Sequence, residues 1–432
     1  MIFEDFLKRD AELYPQKTAV VCGSNIVSYS ELWQKVLEKA AELPKNEIVV
    51  FRASQSLDFL LTYFALHING SVAVPMEKDV PEESFQEVKD LVATSKTPLG
   101  SADILFTTGT TGKKKGVIIS HETIIADGEN LVEGQGFTHD LAFVITGPFN
   151  HIGSLSKIYP VIIKGATLII TEGMKNVNDF FNALDLDFKK FATFLVPSAI
   201  RILLQFSGEK LKNYASKIDF IETGAAAISL SDMKKLCEVL PQSRLYNTYA
   251  STETGIISTY NFNDGRCLEG CLGRPMSRSK IIITDEGLIS CQGKTLMSGY
   301  FGDEELTAKV LKDNTVYTSD FGGLDGEGML RLSGRIDDVI NTGGFKVAPT
   351  EVESVALSMP QISDCICVAA PHPVLGTALK LIYVADVAVS KKEIALYIKA
   401  RLESFKVPFY YEQAEKIQRT FNGKIDRKFY RK

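Results

Sequence analysis

The sequence predicts an α/β protein: a large N-terminal domain of α/β sheets carrying a small β-rich subdomain, then a small α+β C-terminal domain. Three observations predict it. Apolar runs of strand length alternate with helix-period segments through the first half of the chain, the pattern of largely parallel sheets. From Gly273 to Leu332 the texture changes to short strands and glycine-rich turns. After Gly334 a compact helix–strand–strand–helix pattern follows. With 432 residues, 45% of them hydrophobic, the chain can bury a large core and form two or three domains.

The elements follow in order. Residues 3–14 have helical spacing. TAVVCG (18–23) and IVSYSEL (26–32) read as two short strands leading into a helix that Ser28 or Ser30 could cap. EIVVF (47–51) is a buried-type strand, 56–68 a helix and GSVAVP (70–75) another strand. Apolar Ile104, Leu105 and Phe106 suggest a buried strand. Thr107 to Gly112 form a loop, Lys113 to Lys115 follow, and 117–119 is again apolar. Further strands are expected at 167–171, 193–196 and 219–222. KIIIT (280–284), DEGLIS (285–290) and GMLRLS (328–333) supply the β-rich stretch. Beyond it a helix is expected near 350–357, strands at 365–370 and 379–387, a helix at 391–402, and a basic tail. The boundary falls at Gly334-Arg335-Ile336-Asp337, which gives domains 1–334 and 335–432.

The formal net charge is -5, so no basic field points to nucleic acid. No run of 18 apolar residues is present, so no transmembrane segment is expected. The start, MIFEDFLKRD, lacks the features of a signal peptide. Seven cysteines, an odd count without a secretion signal, argue for reduced thiols in a cytoplasmic protein. Cys365 and Cys367 alternate with apolar residues and should share one strand face. Cys267 and Cys271 flank LEG, and neither spacing makes a zinc site with a second pair.

The most informative segment is LFTTGTTGKKKGV, Leu105 to Val117. Small hydroxyl and glycine residues let backbone N–H groups converge on an anion, and the lysines add positive charge, so a polyphosphate is the expected ligand. It is not a Walker loop, which needs four residues between its glycines and Ser or Thr after its lysine. The segment resembles the phosphate-binding loop of the AMP-forming adenylating enzymes: acyl-CoA synthetases, aryl-CoA ligases, firefly luciferase and peptide-synthetase adenylation domains. Their form is roughly [Y/F]-T-[S/T]-G-T-T-G-x-P-K-G-V, and Lys114 stands where proline is usual. The resemblance covers nearly the whole chain in the family's motif order. Family members usually run longer, and the shortfall lies between Pro75 and Ser101, where they have an extra strand–helix stretch.

The resemblance implies ATP- and Mg²⁺-dependent conversion of a carboxylic acid to an acyl-adenylate, then transfer to a thiol. It implies ATP contacts from Thr107, Thr108, Gly109, Thr110, Thr111, Gly112 and Lys115. In ETGAAAIS, Gly224, Ala225 and Ala226 would let the adenine lie against backbone. YNTYASTETG resembles N-x-Y-G-x-T-E with Ala250 for glycine. By that match Asn247 meets the adenine edge, Tyr249 stacks on the ring, Thr252 contacts phosphate and Glu253 supports Mg²⁺. YTSD resembles Y-x-[T/S]-G-D with Ser319 at the glycine, so Asp320 binds the ribose hydroxyls. Arg335, in GRIDDVINTGG, also contacts the ribose, and Asp337 is the hinge of a mobile C-terminal domain. RTFNGKIDRK resembles T-x-x-G-K-[I/V]-x-R-x-x, which makes Lys424 the mobile catalytic lysine. Asn422-Gly423 is a tight-turn signal in front of it. The same cluster of Arg419, Lys424, Arg427, Lys428, Arg431 and Lys432 also reads as a solvated basic tail.

Three details favour a CoA ligase. GPFNHIG resembles the P-x-x-H-x-x-G of acyl- and aryl-CoA ligases, with His151 lining the acid site. Asn150 and His151 stand where amino-acid activators carry an Asp for the substrate ammonium. NTGGFKVAPTEVE resembles the CoA-ligase form in which Gly343, Gly344 and Phe345 line the pantetheine tunnel. No carrier-protein serine motif follows the tail, so a free-standing protein is expected. The runner-up is a stand-alone acyl-carrier-protein ligase, whose acceptor is protein-bound phosphopantetheine. A basic patch at 427–432 could dock an acidic carrier or hold CoA phosphates. A reading of another class is a non-catalytic nucleotide-binding protein, against which the retention of Lys424, Glu253 and Asp320 argues. The expected acid-pocket walls, His151, 196–200, 222–227 and 250–256, are mostly small or apolar and suit an aryl or medium-length aliphatic acid.

Overall fold

Among the described residues, two sheets with helices between and around them form the larger part of the molecule, and a three-stranded sheet with the two-stranded ladder Ile340–Thr342/Phe345–Val347 forms the smaller part. The computed structural model describes all residues except 94, 96–99, 109–113, 175, 343, 386, 421–423 and 431–432. The first sheet has 14 strands. Its centre is parallel: Arg244–Ser251, Ile218–Gly224, Lys190–Phe194, Leu141–Ile145, Thr167–Ile170 and Thr18–Cys22 are successive neighbours. Every residue of Leu141–Ile145 is buried, as expected of a strand covered on both faces. Beyond Arg244–Ser251 the pairing turns antiparallel. The β-rich stretch is therefore no detached sheet. It continues the large one through Cys271–Pro275, Leu330–Arg335, Thr315–Leu324, Leu288–Gly293 and Ser279–Ile283.

The second sheet runs Gly299–Tyr300, Lys114–Ser120, Ser101–Thr108, Val72–Glu77, Ile48–Ala53. Its last three strands are parallel, and Lys114–Ser120 returns antiparallel to Ser101–Thr108 as a hairpin. Helix Leu57–Ile68 is buried on most of its surface. It locks the sheets together through Phe59, whose ring stacks on Phe149 with centroids 4.5 Å apart. Ser28, rather than Ser30, caps helix Tyr29–Glu42, because Glu31 completes a reciprocal capping box with it.

In the smaller part, Ile362–His372, Gly376–Ala385 and Tyr410–Gln413 form the sheet. Cys365 and Cys367 do share a face, packed with Val352, Ile394 and Ile398 from helices Pro349–Leu357 and Lys391–Lys399. Ile366 and Val368 take the other face with Ile417. The chain leaves the large sheet after Arg335, which lies opposite Asp320 in the ladder, and enters a short 3-10 turn, Ile336–Asp338. Among the described residues no helix is long and apolar enough to cross a membrane.

Candidate active site

The hairpin built on Ser101–Thr108 and Lys114–Ser120 pairs Thr107 with Lys115 and Thr108 with Lys114. The ladder thus closes directly beneath the glycine–threonine loop. Gly109, Thr110, Thr111 and Gly112 lie outside the described residues. Strand Gly299–Tyr300 pairs onto the outer edge of the hairpin. This puts the Tyr300 ring 5.7 Å from the Lys115 ammonium and lets its hydroxyl donate to Glu253 Oε1 at 3.0 Å. Burial and the Glu253 charge push the Tyr300 phenol up.

Glu253 and Thr252 sit on the turn between Arg244–Ser251 and Gly255–Asn261, both half-buried. Reciprocal bonds hold that turn: Ser251 N–H donates to Thr254 Oγ1 and Thr254 N–H to Ser251 Oγ, each 3.1 Å. Gly255 has φ +66°, and a Cβ there would lie 2.4 Å from the Thr295 carbonyl oxygen, so only glycine fits. Hairpin, Tyr300 and turn bring Lys115 and Glu253 to one place. One carboxylate oxygen accepts from Tyr300, which leaves lone pairs for a cation. A glutamate held beside a phosphate loop fits Mg²⁺ bound together with substrate phosphates. Tyr300 is absent from the expectation because no motif in its local sequence marks it, and only its pairing onto the hairpin brings it here.

Gly224 ends strand Ile218–Gly224, and Ala225 takes φ +65° as the chain turns away. Ala225 and Ala226 are exposed and present a low ledge. On the adjacent strand, Asn247 is buried and donates an amide hydrogen to the Cys271 carbonyl at 3.0 Å. It therefore also ties two strands of the sheet. Tyr249, likewise buried, donates its hydroxyl to Asp320 Oδ2 at 2.7 Å. Arg335 Nε lies 3.0 Å from Asp320 Oδ1. Asp320 is thus held from both sides, and each oxygen keeps acceptor capacity for a diol.

His151 precedes the short helix Ile152–Leu155, and its carbonyl accepts from Ser154 and Leu155 N–H. Burial and then the Lys424 charge lower its imidazole to about 4, so the ring is neutral near pH 7. Lys424 comes from the far end of the chain. Thr420 N–H donates to its carbonyl at 2.7 Å, and Arg419 and Ile425 form a bridge around it. Its side chain reaches solvent, yet surrounding protein and then Arg335 lower its pKa. His151, Arg335 and Lys424 therefore converge, with Asp320 and Tyr249 alongside.

One wall of the expected acid pocket departs from the apolar reading. Glu222 is fully buried and accepts from Lys157 Nζ at 2.8 Å, and that ammonium lies 5.1 Å from the centre of the Phe194 ring. Sequence reasoning missed Lys157. Its signal was a single cation within the otherwise apolar and small residues 152–163.

Other expected residues stand apart. Gly344 is exposed with φ +88°, Phe345 is half-exposed and stacks on Phe405 with centroids 4.5 Å apart, and Gly343 lies outside the described residues. Asp337 lies within the 3-10 turn. Arg427 is not part of an exposed basic patch. Its guanidinium turns inward to Glu353 at 2.6 Å and Asp338 at 3.6 Å, because helix Pro349–Leu357 and the 3-10 turn Ile336–Asp338 each present a carboxylate there. Arg431 and Lys432 lie outside the described residues.

Comparison with known proteins gives the family and the fold. The AMP-binding enzyme family matches residues 86–301, and the AMP-binding enzyme C-terminal domain matches residues 351–424. A 2-succinylbenzoate–CoA ligase of Staphylococcus aureus is 29% identical over 365 residues, 82% of this chain and 71% of that protein. A 3-[(3aS,4S,7aS)-7a-methyl-1,5-dioxo-octahydro-1H-inden-4-yl]propanoyl:CoA ligase of Mycobacterium tuberculosis is 28% identical over 78% of this chain and 67% of its own length. Among solved structures, ATP-bound MatB from Rhodopseudomonas palustris superposes with a TM-score of 0.87 at 20% identity, covering 100% of this chain and 98% of that one. The O-succinylbenzoate coenzyme A synthetase MenE of Bacillus subtilis, with ATP and magnesium, gives 0.84 at 22% identity, covering 98% of each chain. These two structures share the fold.

Proposed function

The chain belongs to the AMP-binding enzyme family, and from that premise we propose that it is an AMP-forming acid–thiol ligase whose thiol is CoA. The observation that carries the reading is the meeting of Lys424, from the tail, with His151 and Arg335 beside a tethered Asp320. A carboxylate oxygen of the acid attacks the α-phosphorus of ATP. The bond from that phosphorus to the bridging oxygen breaks, and pyrophosphate leaves. Lys424 and Arg335 offset charge on the transferring group. The hairpin with Lys115 holds the outer phosphates, Glu253 would hold the Mg²⁺ that offsets their charge, and Asp320 and Tyr249 fix the nucleoside. Neutral His151 lines the acid side, where a second full charge beside Lys424 would repel it. In the second half-reaction the thiol gives its proton to solvent, its sulfur bonds the acyl carbon, and the bond from that carbon to the phosphate oxygen breaks as AMP departs.

The acceptor reading rests on the relatives named for CoA ligation and on Gly344 and Phe345, which match the pantetheine-tunnel motif. The inward turn of Arg427 removes part of the basic patch that either an acidic carrier or the CoA phosphates could have used, so it favours neither acceptor. Domains 1–334 and 335–432, hinged at Asp337, account for how Lys424 and the Gly343-Gly344 segment would serve one site in turn. Pyrophosphate release across a panel of acids tests the first half-reaction. Product analysis with CoA and, separately, with a phosphopantetheinylated carrier tests the second. No pyrophosphate with any acid overturns the ligase reading, and loading of the carrier in place of CoA overturns the acceptor.

A further inference from the structure

Beneath the phosphate hairpin, four segments bring together a buried cluster that the ligase chemistry does not use. Glu4 opens helix Glu4–Leu13, and His67 lies near the end of helix Leu57–Ile68. Asp103 lies on strand Ser101–Thr108, and His121 opens helix His121–Gln135. His67 Nδ1 is 2.7 Å from Glu4 Oε1, and its Nε2 is 3.2 Å from Asp103 Oδ1. Tyr63 donates its hydroxyl to the other Asp103 oxygen at 3.0 Å. His121 Nδ1 faces Glu4 Oε2 at 4.0 Å, and the two imidazoles meet edge to face with centroids 5.0 Å apart. One donor atom from each of Glu4, His67 and His121 lies within 4.8 Å of the others. Glu4 is 1% exposed, yet its Oε2 has no hydrogen-bond partner, and neither has His121 Nδ1.

We propose that Glu4, His67 and His121 form a binding site for a divalent transition metal, with Zn²⁺ the best match, and that Asp103 orients His67 from behind. Two imidazoles and a carboxylate are a donor set that zinc takes, with a fourth position left for water. The carboxylate behind the ring fixes the tautomer: with the proton on Nε2 toward Asp103, the Nδ1 lone pair faces Glu4 and His121. Tyr63 holds that carboxylate in place. Zn–ligand bonds of about 2.0–2.1 Å in a tetrahedron set donors roughly 3.4 Å apart. The separations of 2.7 Å and 4.0 Å bracket that value.

A proton on His67 alone balances one of the two buried carboxylates and leaves the facing Glu4 Oε2 and His121 Nδ1 unsatisfied. A divalent ion with neutral imidazoles balances both and satisfies both atoms. Such an ion would pin the N-terminal helix to helices Leu57–Ile68 and His121–Gln135. It is a site for holding structure, separate from the Mg²⁺ assigned to Glu253.

The test uses the full chain, stripped of metal with a chelator and titrated with ZnCl2, with bound metal read by mass spectrometry. The wild type should retain about one equivalent after gel filtration, and Glu4→Gln and His121→Asn should each lose at least about nine-tenths of it. His139→Asn, outside the cluster, should bind as wild type. If either variant fails to fold, the absorption of the Co²⁺-loaded wild type reports nitrogen–oxygen ligation and decides in its place. A wild type that takes up no zinc overturns the proposal and leaves His67 as a protonated imidazole, with water bridging Glu4 and His121. Zinc uptake that survives in both folded variants overturns it as well. None of these readouts depends on ligase activity.

Discussion

In the proposed mechanism, Lys424 is the residue on which the first half-reaction turns. It is the cation whose field reaches His151. Lys424→Ala should slow acyl-adenylate formation by about 10²–10³-fold, the usual effect of losing one pre-organised charge, while circular dichroism stays unchanged. Near-normal pyrophosphate release with the true acid would remove Lys424 from the mechanism. His151 gives a pH prediction. Folding lowers its imidazole to about 4, against an ordinary value of about 6.5 in the unfolded chain. The unfolded chain therefore binds more protons between those values, so this residue draws stability down as the pH falls through that window. His151→Gln should flatten the slope of urea stability over that window. The rate profile of pyrophosphate release should show no His151 limb near neutrality; a limb near pH 6.5 that disappears in His151→Gln would contradict the neutral role. Asp320 answers to Tyr249 and Arg335 as well as to any ribose. Asp320→Ala should weaken AMP binding by at least tenfold in calorimetry, since charge-assisted bonds are worth about 1.5–3 kcal/mol each. Unchanged affinity would end the ribose assignment.

At the scale of elements, the turn carrying Thr252 and Glu253 depends on its neighbours more than on its own sequence. Gly255 must hold φ +66° with the Thr295 carbonyl and the Asp127 carboxylate where a Cβ would go. Gly255→Ala should cost about 1–3 kcal/mol in urea unfolding, from strain in the left-handed region plus the clash. It should also raise the Mg²⁺ needed for half-maximal pyrophosphate release, because Glu253 moves with the turn. A variant as stable as wild type would show that the turn tolerates what its packing forbids. The motif STETG was legible in sequence. Its partners Tyr300, Thr295 and Asp127 were not, because each arrives through a strand or helix distant in the chain.

At the scale of the molecule, Arg201 links the large and small parts. Its guanidinium reaches Asp232 at 2.9 Å and Asp364 at 3.3 Å, and Asp364 also takes Arg419 at 2.6 Å, five residues before Lys424. Ser354 donates to Glu269 nearby. These contacts hold the posture in which Lys424 faces His151. If the small part rotates for the second half-reaction, Arg201 and Asp364 must part. Arg201→Ala should then lower adenylate formation by roughly three- to tenfold, the loss expected of a partly buried ion pair, while acyl transfer from preformed adenylate is unchanged or faster. Asp337→Pro, which stiffens the proposed hinge, should instead spare adenylation and block transfer. Equal loss of both half-reactions in both variants would mean that no rotation separates them.

The sequence carries the chemistry-bearing motifs and their order, because short segments such as STETG and YTSD name their functional side chains locally. It also determined the alternation of strands and helices, since burial on one or two faces imposes its own periodicity. Only the tertiary structure decided which side chains meet. The joining of the β-rich stretch to the large sheet, the Lys157–Glu222 pair at the proposed acid site and the inward turn of Arg427 all come from contacts between distant segments. So does the cluster of Glu4, His67, Asp103 and His121, whose members are scattered over the first 121 residues with no motif spacing. A buried charge takes its partner from whichever element packs against it, and sequence separation carries no record of that packing.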